Sequence, residues 1–207
     1  MKTKNLRMIF NSTLIVAIIT ISMTLGFTSC NQKSQDKQSQ TITETPVLVT
    51  ITEQEVLNAQ KAWGEGIVKI GKVYLEDGDY KNAALKHINE FYNYDQGTVL
   101  FKPTLTSEKQ FRTDLDGALS YFVAGNENYP EDHGFAIKPW NKVRWENIGT
   151  KIIGNTAVAM GNYYFTPEQG GDEVKVEYSF AYSKNEDGIL KIILHDSHLP
   201  YAPAEKH

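Results

Sequence analysis

Residues 195–198 read His-Asp-Ser-His and follow directly on the apolar run "ILKIIL". Imidazoles, a carboxylate and a hydroxyl at the end of a hydrophobic strand can accept a proton, orient a water or hold an ion. They can equally be the solvated end of a strand that leaves the core. Side chains alternate along a regular strand, so His195 and Ser197 share one face while Asp196 and His198 share the other. Asp196 and His198 could bind one zinc or manganese ion together, with His195 joining them only through a bulge; catalytic zinc takes three protein ligands and an open position. Leu190, Ile192 and Leu194 continue the Asp196 face, which is the more apolar one. If that face lines the core, Asp196 and His198 enter it. If a bend intervenes, or a dimer buries both faces, His195 and Ser197 do.

The elements that must position these groups follow a simple order. "TEQEVLNAQKAWGEGIVKIGKVYLE" opens with Thr52 three residues before Glu55, a capping-box spacing. Val56, Ala59, Trp63, Ile67, Ile70 and Tyr74 recur at three- and four-residue steps and predict one apolar helical face. Gly64, Gly66 and Gly71 disfavour a helix unless something packs closely there. "YKNAALKHINEFYNY" predicts a second helix with Ala84, Ile88 and Phe91 or Tyr92 inward and His87 beside the stripe as a structural histidine. "TVLFKP" is a short strand. "TDLDGALSYFVAG" is a third helix, with Thr113 as its expected N-cap, Leu115, Leu119 and Phe122 on one face and Gly125 as its stop.

Four strand-like segments follow, "GFAIKPWNKVRWENI", "NTAVAMGNYYFTP", "EVKVEYSFAYSK" and "GILKIILHDS", separated by turn signals at Gly154, 168–172 and 185–188. In the third, Val174, Val176, Tyr178, Phe180 and Tyr182 alternate with polar or small residues. Helices first and long antiparallel strands afterwards is an α+β order. Pro139 and Gly161 are bend points that suit a strongly curved sheet. Such a sheet wrapped on a long helix makes a cone with a pocket at its mouth, the NTF2-like or SnoaL-like arrangement.

The N-terminus is of another kind. Lys2, Lys4 and Arg7 precede the apolar stretch "TLIVAIITISMTLGF", and Thr28 and Ser29 precede Cys30, the single cysteine of the 207 residues. That order predicts a lipoprotein signal over residues 1–29, with Cys30 as the lipid attachment point. Residues 30–46, rich in Gln, Ser and Thr, read as a polar tether. The domain is expected over 47–203, with 204–207 as a tail. Acylation would hold the protein to a membrane as an exported bacterial lipoprotein, facing the periplasm or the cell surface. Without residues 1–29 the chain has 18 basic and 25 acidic residues, a formal charge of −7. An acidic chain lacks the basic face that phosphate neutralisation requires, which argues against a nucleic-acid partner.

From "WGEGIVKIGKVYLEDGDY" through "YDQGTVLFKPTL", "FRTDLDGALSYFVAG", "GFAIKPWNKVRWEN", "AMGNYYFT" and "KVEYSFAYSK" to "LHDSHLPY", the chain resembles the iota-class carbonic anhydrases. These are relatives of the association domain of calmodulin-dependent kinase II. The resemblance covers about residues 60–203 and implies reversible hydration of carbon dioxide to bicarbonate, the alternative being a non-enzymatic NTF2-like module for small-ligand binding or oligomerisation. It further implies a homodimer that uses no cofactor, zinc or manganese being the alternative. In metal-free members a threonine, a tyrosine and a serine hold water and bicarbonate. Carried over, these are Thr104 of "FKPT", Tyr121 of "GALSYF" and Ser197, with His195 opening the terminal motif. His195 is the group expected to move a proton or orient the water. The family ends this strand His-His-Ser-Ser, so the second and fourth positions, Asp196 and His198, depart from it.

Overall fold

The structure, a computed structural model, describes residues 50–185 and 187–203. The expected signal segment, Cys30, the tether and the tail lie outside the described residues.

Helix α1 spans Glu53–Leu75 and begins with the expected capping box. The Thr52 hydroxyl accepts from the Glu55 backbone N–H, while the Glu55 carboxylate accepts from the Thr52 N–H at 2.8 Å. Val56, Trp63, Ile67 and Ile70 are buried along it, together with Gln60, which the apolar pattern does not include. Tyr74, expected inward, is 39% exposed; it packs edge-on against Tyr80 at a centroid distance of 5.0 Å, where the helix runs past the core. Helix α2 spans Tyr80–Phe91 and buries Ala84, His87 and Ile88. Gly66 explains one break in helix propensity: a Cβ there would lie 2.2 Å from His87 Nδ1, so the two helices close only because position 66 has no side chain.

Helix α3, Leu115–Val123, is capped by Asp114 and not by the expected Thr113; the Asp114 carboxylate accepts from the Gly117 N–H at 2.7 Å. Its buried side is Ala118, Ser120, Tyr121, Phe122 and Val123, whereas Leu115 and Leu119 are only half-buried. The short helix lies across the cone instead of showing it a single stripe.

The sheet has the order β1-β5-β4-β3-β2, with β1 at Leu100–Lys102, β2 at Trp140–Ile153, β3 at Thr156–Pro167, β4 at Val174–Lys184 and β5 at Leu190–His198. Residues 135–137, expected within the first long strand, form a 3-10 turn that leads into Trp140. β2 to β5 pair antiparallel, and β1 joins β5 in parallel with Phe101 opposite His195. Curvature enters through bulges. Opposite Gly161 the β2 register shifts between Asn147 and Gly149, and a Cβ on Gly161 would sit 2.1 Å from the Glu146 carbonyl oxygen. The α1 stripe packs into the concave face, where Trp63, Phe180, Tyr163 and Phe101 form an aromatic core.

A second bulge decides the fate of the polar tetrapeptide. Ala181 pairs with Leu194 and Tyr182 with Ile192, leaving Ile193 as an extra residue in β5. One extra residue inverts the alternation. Ile192 therefore faces inward beside Tyr182, and beyond the bulge His195 opposite Phe180 and Ser197 opposite Tyr178 face inward as well.

Candidate active site

Of the four side chains proposed from the sequence, three carry hydroxyls at one end of the cone. Thr104 follows β1 through Pro103, and its Oγ1 lies 2.8 Å from Ser197 Oγ. Ser197 is fully buried on β5. Tyr121 comes from α3 and is 7% exposed. Burial pushes its phenol up to about 12, against the opposing pull of the Leu105 backbone and the Thr104 hydroxyl. The hydroxyl therefore stays protonated at neutral pH and can donate.

A pocket of about 310 Å³ opens over this end. Thr104 and Tyr121 line it, while Phe135, Trp140, Phe165 and Leu199 supply apolar walls. Ser197 and His195 stand one layer behind, on the buried side of Thr104. A small, largely apolar cavity with a few hydroxyls at its buried end suits a small uncharged substrate that acquires charge as it reacts.

His195 is 3% exposed and ringed by Phe101 and Phe180, at centroid distances of 4.6 and 4.0 Å. Desolvation holds its pKa well below the usual imidazole range, so it is neutral at physiological pH. Both ring nitrogens have phenolic partners, Tyr92 at 2.8 Å from Nδ1 and Tyr163 at 3.4 Å from Nε2. The Trp63 Nε1–H donates to the Tyr92 hydroxyl at 3.1 Å. Indole can only donate, which leaves the Tyr92 O–H free to donate to Nδ1, an arrangement that puts the imidazole proton on Nε2, aimed at Tyr163. Burial also raises the Tyr163 pKa; the Ser197 and Thr104 hydroxyls beside it pull the other way. The result is a directed chain from Trp63 through Tyr92 and His195 to Tyr163, which lies beside the hydroxyl pair. Of the two roles left open for His195, orienting fits this burial and proton export does not.

The sequence reading missed Tyr92, Tyr163 and Trp63. A tyrosine at a helix end or on a strand gives no local sign that its hydroxyl will meet a histidine 103 or 32 residues away. It also missed the clamp behind the Thr104 loop. Arg112, wholly buried, donates to Asp132 at 2.6 Å, and the Ser120 hydroxyl donates to the other Asp132 oxygen at 2.6 Å. Glu131 accepts from the backbone N–H groups of Ser107, Glu108 and Lys109. These carboxylates hold residues 104–112 against α3.

Asp196 and His198 turn outward. They bond to each other at 3.0 Å on the solvent side of β5 and do not enter the pocket, which overturns their use as a pocket metal site. The same bulge that brings Ser197 inward excludes them. Among the described residues no group of three or more His, Cys, Asp or Glu side chains is placed to hold a metal ion.

Comparison with known proteins agrees with this chemistry. Residues 54–199 match the family model described as metal-independent carbonic anhydrase. A curated relative of that description from Nostoc sp. (strain PCC 7120) is 41% identical over 202 residues, covering 93% of this chain and 98% of its own length. The solved structure of a cyanobacterial iota-carbonic anhydrase complexed with bicarbonate aligns with a TM-score of 0.73 and 46% identity, over 77% of this chain and 99% of that one. A more distant neighbour is an NTF-2 like protein from Shewanella oneidensis MR-1, with 16% identity and a TM-score of 0.40, over 70% of this chain and 93% of that one.

Proposed function

This chain belongs to the metal-independent carbonic anhydrases, and from that membership we propose how its pocket hydrates carbon dioxide without metal. The observation that carries the mechanism is the Thr104–Ser197 hydroxyl pair beside Tyr121, at the buried end of a largely apolar pocket.

Carbon dioxide enters along the aromatic and aliphatic wall. A water held by Thr104, whose hydroxyl Ser197 orients from behind, attacks its carbon; the new O–C bond forms as one C=O electron pair moves onto oxygen. The Tyr121 hydroxyl, kept protonated by burial, donates to the oxygen that gains charge. Such donors accelerate a reaction because they are aimed at the developing charge before it exists. The attacking water loses a proton to a neighbouring pocket water, and bicarbonate results. His195 is a positioning residue here: its Nε2–H fixes the Tyr163 hydroxyl, whose proton is then free to point at the hydroxyl pair.

The test is stopped-flow carbon dioxide hydration after exhaustive chelation, repeated with added zinc or manganese. Activity that survives chelation and is lost in Ser197→Ala and Tyr121→Phe supports the mechanism. Activity that appears only with metal defeats it.

Two further parts of the proposal concern setting. The charged, apolar and small-residue order before Cys30 supports a membrane-tethered lipoprotein exposed outside the cytoplasm; metabolic labelling with a fatty acid, lost in Cys30→Ala, tests it. A homodimer is supported by the outer sheet face, where Val158 and Met160 are 40% and 54% exposed. Light scattering on wild type and Met160→Asp tests that association.

A further inference from the structure

Hydration releases a proton that must leave the pocket, and the enclosed His195 cannot carry it out. His195 is enclosed, with both nitrogens occupied. Four titratable side chains line the pocket itself: Tyr121 from α3, Glu131 and His133 from the loop after it, and Lys138 from the turn before β2.

Three of them are unsuited to carrying a proton. Tyr121 already holds one, with its pKa pushed up to about 12. Glu131 is pulled down to about 2 by the backbone N–H groups of Ser107, Glu108 and Lys109, so it does not pick up a proton near neutrality. Lys138 presents an ammonium over the Trp140 ring, 5.1 Å from its centroid, and an ammonium has no free lone pair. His133 differs from all three. Its side chain is exposed while lining the same pocket as Thr104 and Tyr121. Its main chain is held on both sides: Asp132 is bonded to Arg112 and Ser120, and the Gly134 carbonyl accepts from the Ile137 and Lys138 N–H groups. A fixed backbone with a free imidazole lets the ring exchange between pocket and solvent faces on the fast timescale of exposed rotamers.

We propose that His133 is the proton-transfer residue that carries the product proton from the pocket to solvent. The inference rests on the carbonic anhydrase reading above. As the water oxygen bonds to carbon, its O–H bond breaks and the proton passes through pocket water to the free lone pair of the His133 ring. The imidazolium then gives up a proton to a buffer base, which restores the neutral ring. Imidazole suits the task because it can accept a proton at one nitrogen and release one from the other.

The test measures hydration at low and high buffer concentration for the wild type, His133→Ala and His133→Gln. Both variants should lose kcat by about tenfold or more at low buffer, with kcat/KM unchanged, because carbon dioxide conversion and proton export are separate steps. Added imidazole should restore kcat. Gln keeps the size of the ring without a basic nitrogen, so a structural role would leave His133→Gln like wild type. Unchanged kcat in both variants at low buffer overturns the proposal, as does a parallel fall in kcat and kcat/KM that imidazole does not rescue. A wild-type chain inactive under every condition overturns the carbonic anhydrase reading itself, and the proposal with it.

Discussion

Two pairs of polar residues alternate at the end of β5, and they live in different solvents. His195 and Ser197 face a dry aromatic interior, where every polar atom needs a partner: Tyr92 and Tyr163 serve the ring and Thr104 serves the hydroxyl. Asp196 and His198 face water and bond to each other across the strand surface. The lesson is that the two positions at which this chain departs from the His-His-Ser-Ser pattern are the outward ones. The departure changes the outer surface of the sheet and leaves the pocket composition intact.

The sharpest way to break this comparison is to remove one hydroxyl from the inner pair. Ser197→Ala should lower kcat/KM for carbon dioxide hydration by roughly 10²–10³-fold, the usual cost of losing one preorganised polar group at developing charge. The support behind the inner pair comes next. Arg112→Ala leaves Asp132 buried and unpaired and should cost about 3–5 kcal/mol in urea unfolding, with activity falling as the Thr104 loop loosens. His195→Phe strands the Tyr92 and Tyr163 hydroxyls in the core and should cost about 1–3 kcal/mol by the same measurement.

A pH titration of stability sharpens the contrast between dry and wet imidazoles. Burial holds His87 at about 3 and His195 well below its usual value. Both are neutral in the folded chain while the unfolded chain protonates near ~6.5. Their contribution to stability is complete above that value and is lost as pH falls toward the folded values. His87→Leu should flatten the slope of unfolding free energy by about 1.4 kcal/mol per pH unit between ~6.5 and about 3. The smallest effect belongs to the outer pair. Asp196→Asn with His198→Ala should change stability by less than about 0.5 kcal/mol and hydration by less than about twofold, because exposed polar pairs contribute little. A large loss of activity there would break the comparison from the other side.

Local signals were legible where local physics decides. The Thr52–Glu55 box, the α1 stripe from Val56 to Ile70 and the alternation of Val176, Tyr178, Phe180 and Tyr182 all hold in the structure. Where neighbours compete for one role, the pattern was less clear. Asp114 outcompetes Thr113 as a cap because its carboxylate reaches the Gly117 N–H, and Tyr74 lies past the end of the surface it was expected to cover.

The sequence by itself determined the order of elements, the family motifs and the residue types available for metal-free hydration. Those follow from periodicity and short-range chemistry, which a chain carries in one dimension. Only the tertiary structure decided which face of β5 enters the cone. One extra residue at Ile193 inverts every side chain beyond it, and a bulge is favoured by the partner strand and the packing around it, not by the residue itself. The same holds for the chain from Trp63 through Tyr92 and His195 to Tyr163. Its members are far apart in sequence, and their hydrogen bonds exist because the packed interior leaves those polar atoms no water to turn to.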